Sequence, residues 1–184
     1  MILFINACVR ADSRTEQLAR ALLRKLGGAQ TEVKLAEQPL EPLSEARLDR
    51  RTELIERGSY DDTMFRLARQ FQQADGIVIA APYWDLGFPA LLKLYLENIY
   101  VTGLVSEYTE EGIPRGLCRA KKLWYVTTAG GPYTPDFSYD YLRTLAQQYF
   151  GIPETELIAA EMLDVQGFDA QQIIADKIRE IEAR

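Results

Sequence analysis

The chain contains no histidine among its 184 residues. Hydrolase triads need an imidazole base and the usual zinc hydrolase sites need imidazole ligands, so both are excluded. Cysteine is nearly as scarce. Cys8 and Cys118 stand alone, with no CxxC spacing and no partner set for zinc, and both are expected to be buried, reduced and inert. No apolar run approaches the roughly 20 residues a membrane helix needs, and no charged-then-apolar leader opens the sequence, so a cytoplasmic protein without membrane contact is expected. Positive charge is in deficit. A net charge of -6 with no basic stripe argues against nucleic acid as a partner. A chain so stripped of nucleophile-activating and metal-binding groups, if it is an enzyme, leaves the chemistry to a bound cofactor, because hydride and electron transfer ask a protein mainly for binding and orientation.

What the chain does have is apolar residues in short runs. They make up 47% of it, which with 184 residues suits one domain, residues 1–184, built on a sheet covered on both faces. Residues 1–5 form one such run, of the kind a strand buried on both sides shows. Leu18, Ala19, Leu22, Leu23 and Leu26 then recur at helical spacing before Gly27-Gly28. The turn between them carries Ser13 and Thr15 hydroxyls and the Arg10 and Arg14 guanidinium groups at the start of a helix whose first amides have no intrahelical partner. Two uses fit it equally. It suits a phosphate, and Ser13-Arg14-Thr15-Glu16 also fits a capping box in which Glu16 reaches back to the N-cap amide.

Further on, residues 31–36 alternate as an edge strand would, and a surface helix capped by Ser44 runs to about Arg57, with Glu53 and Arg57 paired. Asp62 caps a packing helix bearing Met64, Leu67, Ala68 and Phe71. Buried strands are expected at 77–81, 123–127 and 157–162, helices at 90–100, 139–150 and from about Asp169, and an irregular or hairpin excursion at 103–117. On the last helix Ile173, Ile174, Ile178 and Ile181 mark the buried side.

Strands alternating with helices imply a parallel sheet with right-handed crossovers, and five strands suggest the order 2-1-3-4-5 of the flavodoxin-like α/β sandwich. In that order the loops after the first, third and fourth strands meet at one rim. They are the loops of unusual composition: Ser13 and Thr15 in the first, Tyr83-Trp84-Asp85 in the second, Gly130-Gly131 in the third. Together they would offer an anion site, flat apolar walls and bare backbone to a planar heterocycle.

Residues 3–7 with Ser13-Arg14-Thr15, Ala81-Pro82-Tyr83-Trp84 through Pro89 to Lys93, residues 108–112, and Thr127-Thr128-Ala129-Gly130-Gly131 resemble the azoreductase and NAD(P)H quinone reductase family, in order along nearly the whole chain. The resemblance implies a flavodoxin-like homodimer binding FMN. By motif position Ser13 and Thr15, with the Arg14 amide and Arg10, would hold the phosphate. Pro82, Tyr83, Trp84, Asp85 and Leu86 would line the isoalloxazine, and Thr128, Ala129, Gly130 and Gly131 would meet its pyrimidine edge. It further implies NADH or NADPH as donor and a quinone, azo dye or nitroaromatic as acceptor, with no catalytic side chain required and no metal. Tyr133 is the candidate proton donor, in place of a tyrosine and histidine pair that this chain lacks. Two residues depart from the pattern. Asp85 stands where the family commonly has an amide, and Glu16 places a carboxylate beside the expected phosphate. Phe88, Tyr95, Tyr100 and Tyr108 are expected at a dimer interface. The competing readings are a flavodoxin-type one-electron carrier, which would use a Thr- and Gly-rich phosphate loop where this chain has no glycine before Gly27, and a flavin-binding regulatory module without turnover.

Overall fold

The computed structural model of the protein describes residues 1–183. Its centre is a parallel sheet of five strands, β1 (Ile2–Asn6), β2 (Gln30–Lys34), β3 (Gly76–Ala80), β6 (Lys122–Thr128) and β7 (Glu154–Ala160), in the order β2-β1-β3-β6-β7. That is the 2-1-3-4-5 order the sequence implies. A two-stranded antiparallel excursion, β4 (Ser106–Tyr108) and β5 (Pro114–Gly116), lies between β3 and β6 in the chain.

Successive residues of a strand point to opposite faces, so each buried strand feeds two cores. Leu3, Ile5, Ile77, Ile79, Leu123 and Tyr125 face one side, where α3 (Arg66–Gln73) and α4 (Ala90–Ile99) cover them through Ala68, Phe71, Leu92 and Tyr95. Phe4, Val78, Ala80 and Val126 face the other, under α1 (Arg14–Leu26) and α6 (Ala170–Ala183). Helix α6 presents Ile174 and Ile181 as its buried residues, with Ile173 and Ile178 partly buried beside them. The two-faced burial explains why these strands read as unbroken apolar runs.

Helix α2 (Glu45–Glu56) starts at Ser44, buries only Leu54, and carries the expected Glu53–Arg57 pair at 2.6 Å. It is fastened by charge: Arg51 donates to the carbonyls of Glu97 and Tyr100 at the end of α4, where those oxygens have no intrahelical partner. Asp62 caps as expected, although the chain passes first through a 3-10 turn, Thr63–Phe65, and only then enters α3. Helix α5 (Tyr139–Thr144) runs on as a π-helix, Leu145–Phe150, ending at left-handed Gly151.

Three expectations change. The second strand ends at Lys34 rather than 36, because residues 35–37 turn into a 3-10 segment. The last strand spans 154–160 rather than 157–162. Beyond Ala160 the chain breaks away, since the amides of Met162, Leu163 and Asp164 donate to the carbonyls of Gly131, Ala129 and Gly130 at 3.1, 3.2 and 2.8 Å, and Met162 takes a φ of 65°. Tyr95, expected at an interface, is wholly buried in the core. Its position on α4 turns it inward, whereas Phe88 and Tyr100 are half-buried and Tyr108 is 56% exposed.

Candidate functional site

The carboxyl ends of β1, β3 and β6 open on a cleft of about 760 Å³, at the point where the winding of the sheet reverses. Open α/β sheets bind ligands there because the loops diverge to either side and leave a crevice. The β1 loop contributes Cys8, Val9, Arg10 and Asp12 to Thr15, the β3 loop Pro82, Tyr83 and Trp84, and the β6 loop Thr128, Ala129 and Gly130.

Ser13 is the N-cap of α1. Its hydroxyl accepts the Glu16 amide at 3.3 Å, and the first main-chain bond of the helix runs from Gln17 to the Ser13 carbonyl. The Arg14 and Thr15 amides precede that bond and have no acceptor four residues back, which leaves them for an anion. Only half of the capping box forms. Glu16 does not reach back to the cap; its carboxylate takes the Arg20 guanidinium at 2.8 and 3.2 Å.

Thr15 and Thr128 join the first and third loops directly, through a hydroxyl pair at 2.6 Å buried below the cleft surface. The second loop is tied to the third by the Tyr83 amide on the Thr128 carbonyl at 3.0 Å. Trp84 is 42% exposed on the cleft wall, held by a tight turn in which the Trp84 and Gly87 main chains exchange both hydrogen bonds, at 3.2 and 2.8 Å. Burial pushes the Cys8 thiol up to about 11, so at neutral pH it is a neutral part of the cleft floor.

The chain matches, over residues 1–184, a family model described as the flavodoxin-like fold. It belongs to that family. An FMN-dependent NADH:quinone oxidoreductase 2 of Clostridium acetobutylicum is 44% identical to it over 124 residues, 64% of this chain and 61% of that protein. An FMN-dependent NADH:quinone oxidoreductase of Lachnoclostridium phytofermentans is 31% identical over 180 residues, 92% of this chain and 90% of the other. The aligned part spans about three fifths of the length of the first of these relatives. Among solved structures, an azoreductase from Bacillus anthracis superposes with a TM-score of 0.84 at 23% identity, over 99% of this chain and 96% of that one, and so shares the fold.

Of the residues singled out in the sequence, Arg10, Ser13, Arg14, Thr15, Pro82 and Tyr83 border the cleft, as do Trp84, Thr128, Ala129 and Gly130. Asp85, Leu86, Gly131 and Tyr133 do not. Asp85 and Leu86 sit at the apex of the Trp84–Gly87 turn, both exposed, with φ of 50° and 66°. The Tyr133 ring packs edge-on against Tyr83 at 4.8 Å, and the hydroxyl of this candidate proton donor meets the Ser138 hydroxyl at 2.9 Å. Burial raises the Tyr133 pKa and the Ser138 hydroxyl lowers it, with the increase prevailing.

Arg14 is committed in its side chain: the guanidinium donates to the Leu163 carbonyl at 3.0 Å and the Asp164 carboxylate at 2.8 Å. Gly130 is explained by the same contact. A Cβ there would lie 2.4 Å from the Asp164 carboxylate, so the missing side chain makes room for the Arg14 partner. The fifth strand's loop and α6 therefore contribute a wall that sequence reasoning missed, with Leu163, Asp164, Gln171 and Ile174 on it. The available signal was Asp169, whose carboxylate caps α6 by accepting the Gln171 and Gln172 amides at 3.0 Å and so starts that helix beside the cleft.

Proposed function

We propose that the protein is an FMN-dependent NAD(P)H oxidoreductase that reduces a quinone, azo or nitroaromatic acceptor. The observation that carries this reading is the cleft itself: a helix N-terminus with free first-turn amides, an aromatic wall and a glycine-bearing loop converge at the switch point of the sheet. FMN fits this set, since it pairs a dianionic phosphate with a flat ring. When bound, FMN supplies the redox chemistry, accepting two electrons from the nicotinamide donor and passing them to the acceptor.

The chain's own residues bind and orient. Ser13 and the Arg14 and Thr15 amides hold the phosphate, with Arg10 at the rim. Pro82, Tyr83 and Trp84 flank the ring, while Thr128, Ala129 and Gly130 face its polar edge, their loop fixed by the Thr15–Thr128 pair and by the three amides donated from residues 162–164. The chain's lack of histidine agrees with a reaction that needs no protein nucleophile. Among the described residues no group of three metal-ligating side chains is assembled, and no helix is long and apolar enough to cross a membrane.

The test is direct. The purified protein is expected to be yellow, to release FMN on denaturation, and to be bleached within a second on stopped-flow mixing with NADH or NADPH under anaerobic conditions. A colourless protein that refuses added FMN overturns the reading, and a flavoprotein that neither donor bleaches is a carrier or sensor instead. Asp85 offers a finer measure. Its carboxylate, one residue beyond Trp84, opposes negative charge on the reduced ring, so Asp85→Asn is expected to raise the midpoint potential by an amount on the order of tens of millivolts, limited by solvent screening. An unchanged potential in a spectroelectrochemical titration removes Asp85 from the account.

A further inference from the structure

Glu16 poses a problem for an anion site. It lies in the first turn of α1, where a carboxylate normally stabilises the helix dipole, but here its charge repels an anion bound at the same helix start. The structure places a counter-charge directly on it. Arg20, one turn along, binds the Glu16 carboxylate through two nitrogens at 3.2 and 2.8 Å and does not border the cleft.

Arg20 is held from three sides. Its second contact is the Glu32 carboxylate on β2 at 2.6 Å, and its guanidinium lies over the Phe4 ring at 4.8 Å. Glu32 is fixed in turn by the side chain of Asn6, fully buried at the end of β1, which donates to it at 2.9 Å. The other end of that same amide accepts the Cys8 main-chain N–H at 3.0 Å and so shapes the first residues of the cleft loop. A chain of hydrogen bonds thus runs Glu16–Arg20–Glu32–Asn6–Cys8, from the helix start, through the edge strand, back to the floor of the cleft. The Glu16–Arg20 and Asn6–Glu32 bonds are part-buried, and they set the charge beside the start of α1. At the cleft floor the Cys8 thiol is pushed up chiefly by burial and lowered by its hydrogen bond with Ser13, with smaller opposed effects from Glu16 and Arg20.

We propose that Arg20 is a positioning residue for the cleft's anion site: by pairing Glu16 and holding it turned aside, it lessens that carboxylate's repulsion of a phosphate dianion at the N-terminus of α1. The proposal rests on the FMN reading and adds to it a residue outside the cleft that sets the affinity for the phosphate but not for the ring. It therefore separates two ligands that differ only in that group. FMN and riboflavin share the isoalloxazine and the ribityl chain, and riboflavin has no phosphate.

The experiment measures the dissociation constants of FMN and riboflavin by flavin fluorescence for the wild-type apoprotein and for Arg20→Gln, Arg20→Lys and Arg20→Gln/Glu16→Gln. Arg20→Gln keeps donors near both carboxylates and removes the charge. It is expected to weaken FMN about tenfold, the effect of one uncompensated charge near the ligand at an effective dielectric between protein and water, while riboflavin stays within about twofold. Arg20→Lys, which keeps the charge, is expected to retain most of the FMN affinity, and the double variant to regain it. High salt should shrink the difference between variants. Equal losses for both flavins would show fold damage and overturn the proposal, as would an unchanged ratio of FMN to riboflavin affinity or a double variant no better than the single one. If the wild type binds neither flavin, the functional reading itself falls, and this inference with it.

Discussion

Asp85 and Leu86 adopt left-handed backbone in succession, with φ of 50° and 66°, in a turn whose two central positions elsewhere favour Asn-Gly. Asp tolerates the region because its short polar side chain can bond locally; Leu does not, and its exposed side chain recovers little by burial. Leu86→Gly is expected to raise unfolding stability by about 0.5 to 1 kcal/mol, the left-handed penalty less the added chain entropy of glycine, as measured by denaturant unfolding. A loss of stability would mean that Leu86 packs against something outside this chain. The two thiols make a second residue-scale case. Burial pushes Cys8 from 9.0 to about 11 and Cys118 from 9.0 to about 12, although Cys118 is only half-buried rather than buried as its sequence context implies. Below pH 9 both states keep these protons and nothing is lost. Above it the unfolded chain releases them while the folded one holds them, so stability falls as pH rises from 9 toward 11 and 12, by up to about 1.4 kcal/mol per pH unit for each thiol. Cys8→Ser is expected to flatten that slope, read from chemical unfolding at a series of pH values, whatever it does to the level.

At the scale of elements, the excursion β4–β5 is locked to the π-helical end of α5 by a close approach that only glycine permits. A Cβ on Gly116 would lie 2.0 Å from the Gly151 nitrogen and from the Phe150 carbonyl carbon, at the end of the π-helix. Gly116→Ala is therefore expected to cost about 1–3 kcal/mol by overpacking, with hydrogen exchange accelerating first in residues 106–116 and 145–151. Uniform acceleration would instead show that the hairpin is part of the global fold. Element boundaries also show where sequence patterns lose force. The early break of β7 accompanies contacts between segments, three amides finding carbonyls on the neighbouring loop.

For the whole molecule, the exposed apolar side chains of the β4–β5 excursion offer a surface to a second copy. Tyr108 and Ile113 on the hairpin, 56% and 60% exposed, lie on the same excursion. Around its base Tyr100 meets Tyr149 and Phe150, at ring separations of 6.2 and 5.7 Å. The exposed Tyr108 and Ile113 stand among the charged Glu107, Glu110, Glu111 and Arg115, as apolar anchors do inside the polar rim of an interface. Sedimentation velocity is expected to give a dimer, and Tyr108→Glu to shift it toward monomer with the sheet intact by circular dichroism. A wild-type monomer at micromolar concentration would dismiss that surface as an interface.

What the sequence by itself determined is the order of the sheet and the rim at which its distinctive loops meet. Both follow from local patterns: apolar runs that mark strands covered on both faces, helical spacing between them, and the single right-handed way of joining parallel strands. What only the tertiary structure decided is which side chains at that rim are free. Ser13 caps as its position foretells, but Arg14 is spent on Asp164 150 residues away, Thr15 on Thr128, and Glu16 on Arg20, while Tyr133 turns to Ser138 and Tyr95 sinks into the core. Arg14 and Thr15 find their partners 150 and 113 residues away, and hydrogen bonds between such groups are fixed by how helices and loops pack, information that no local window of residues contains.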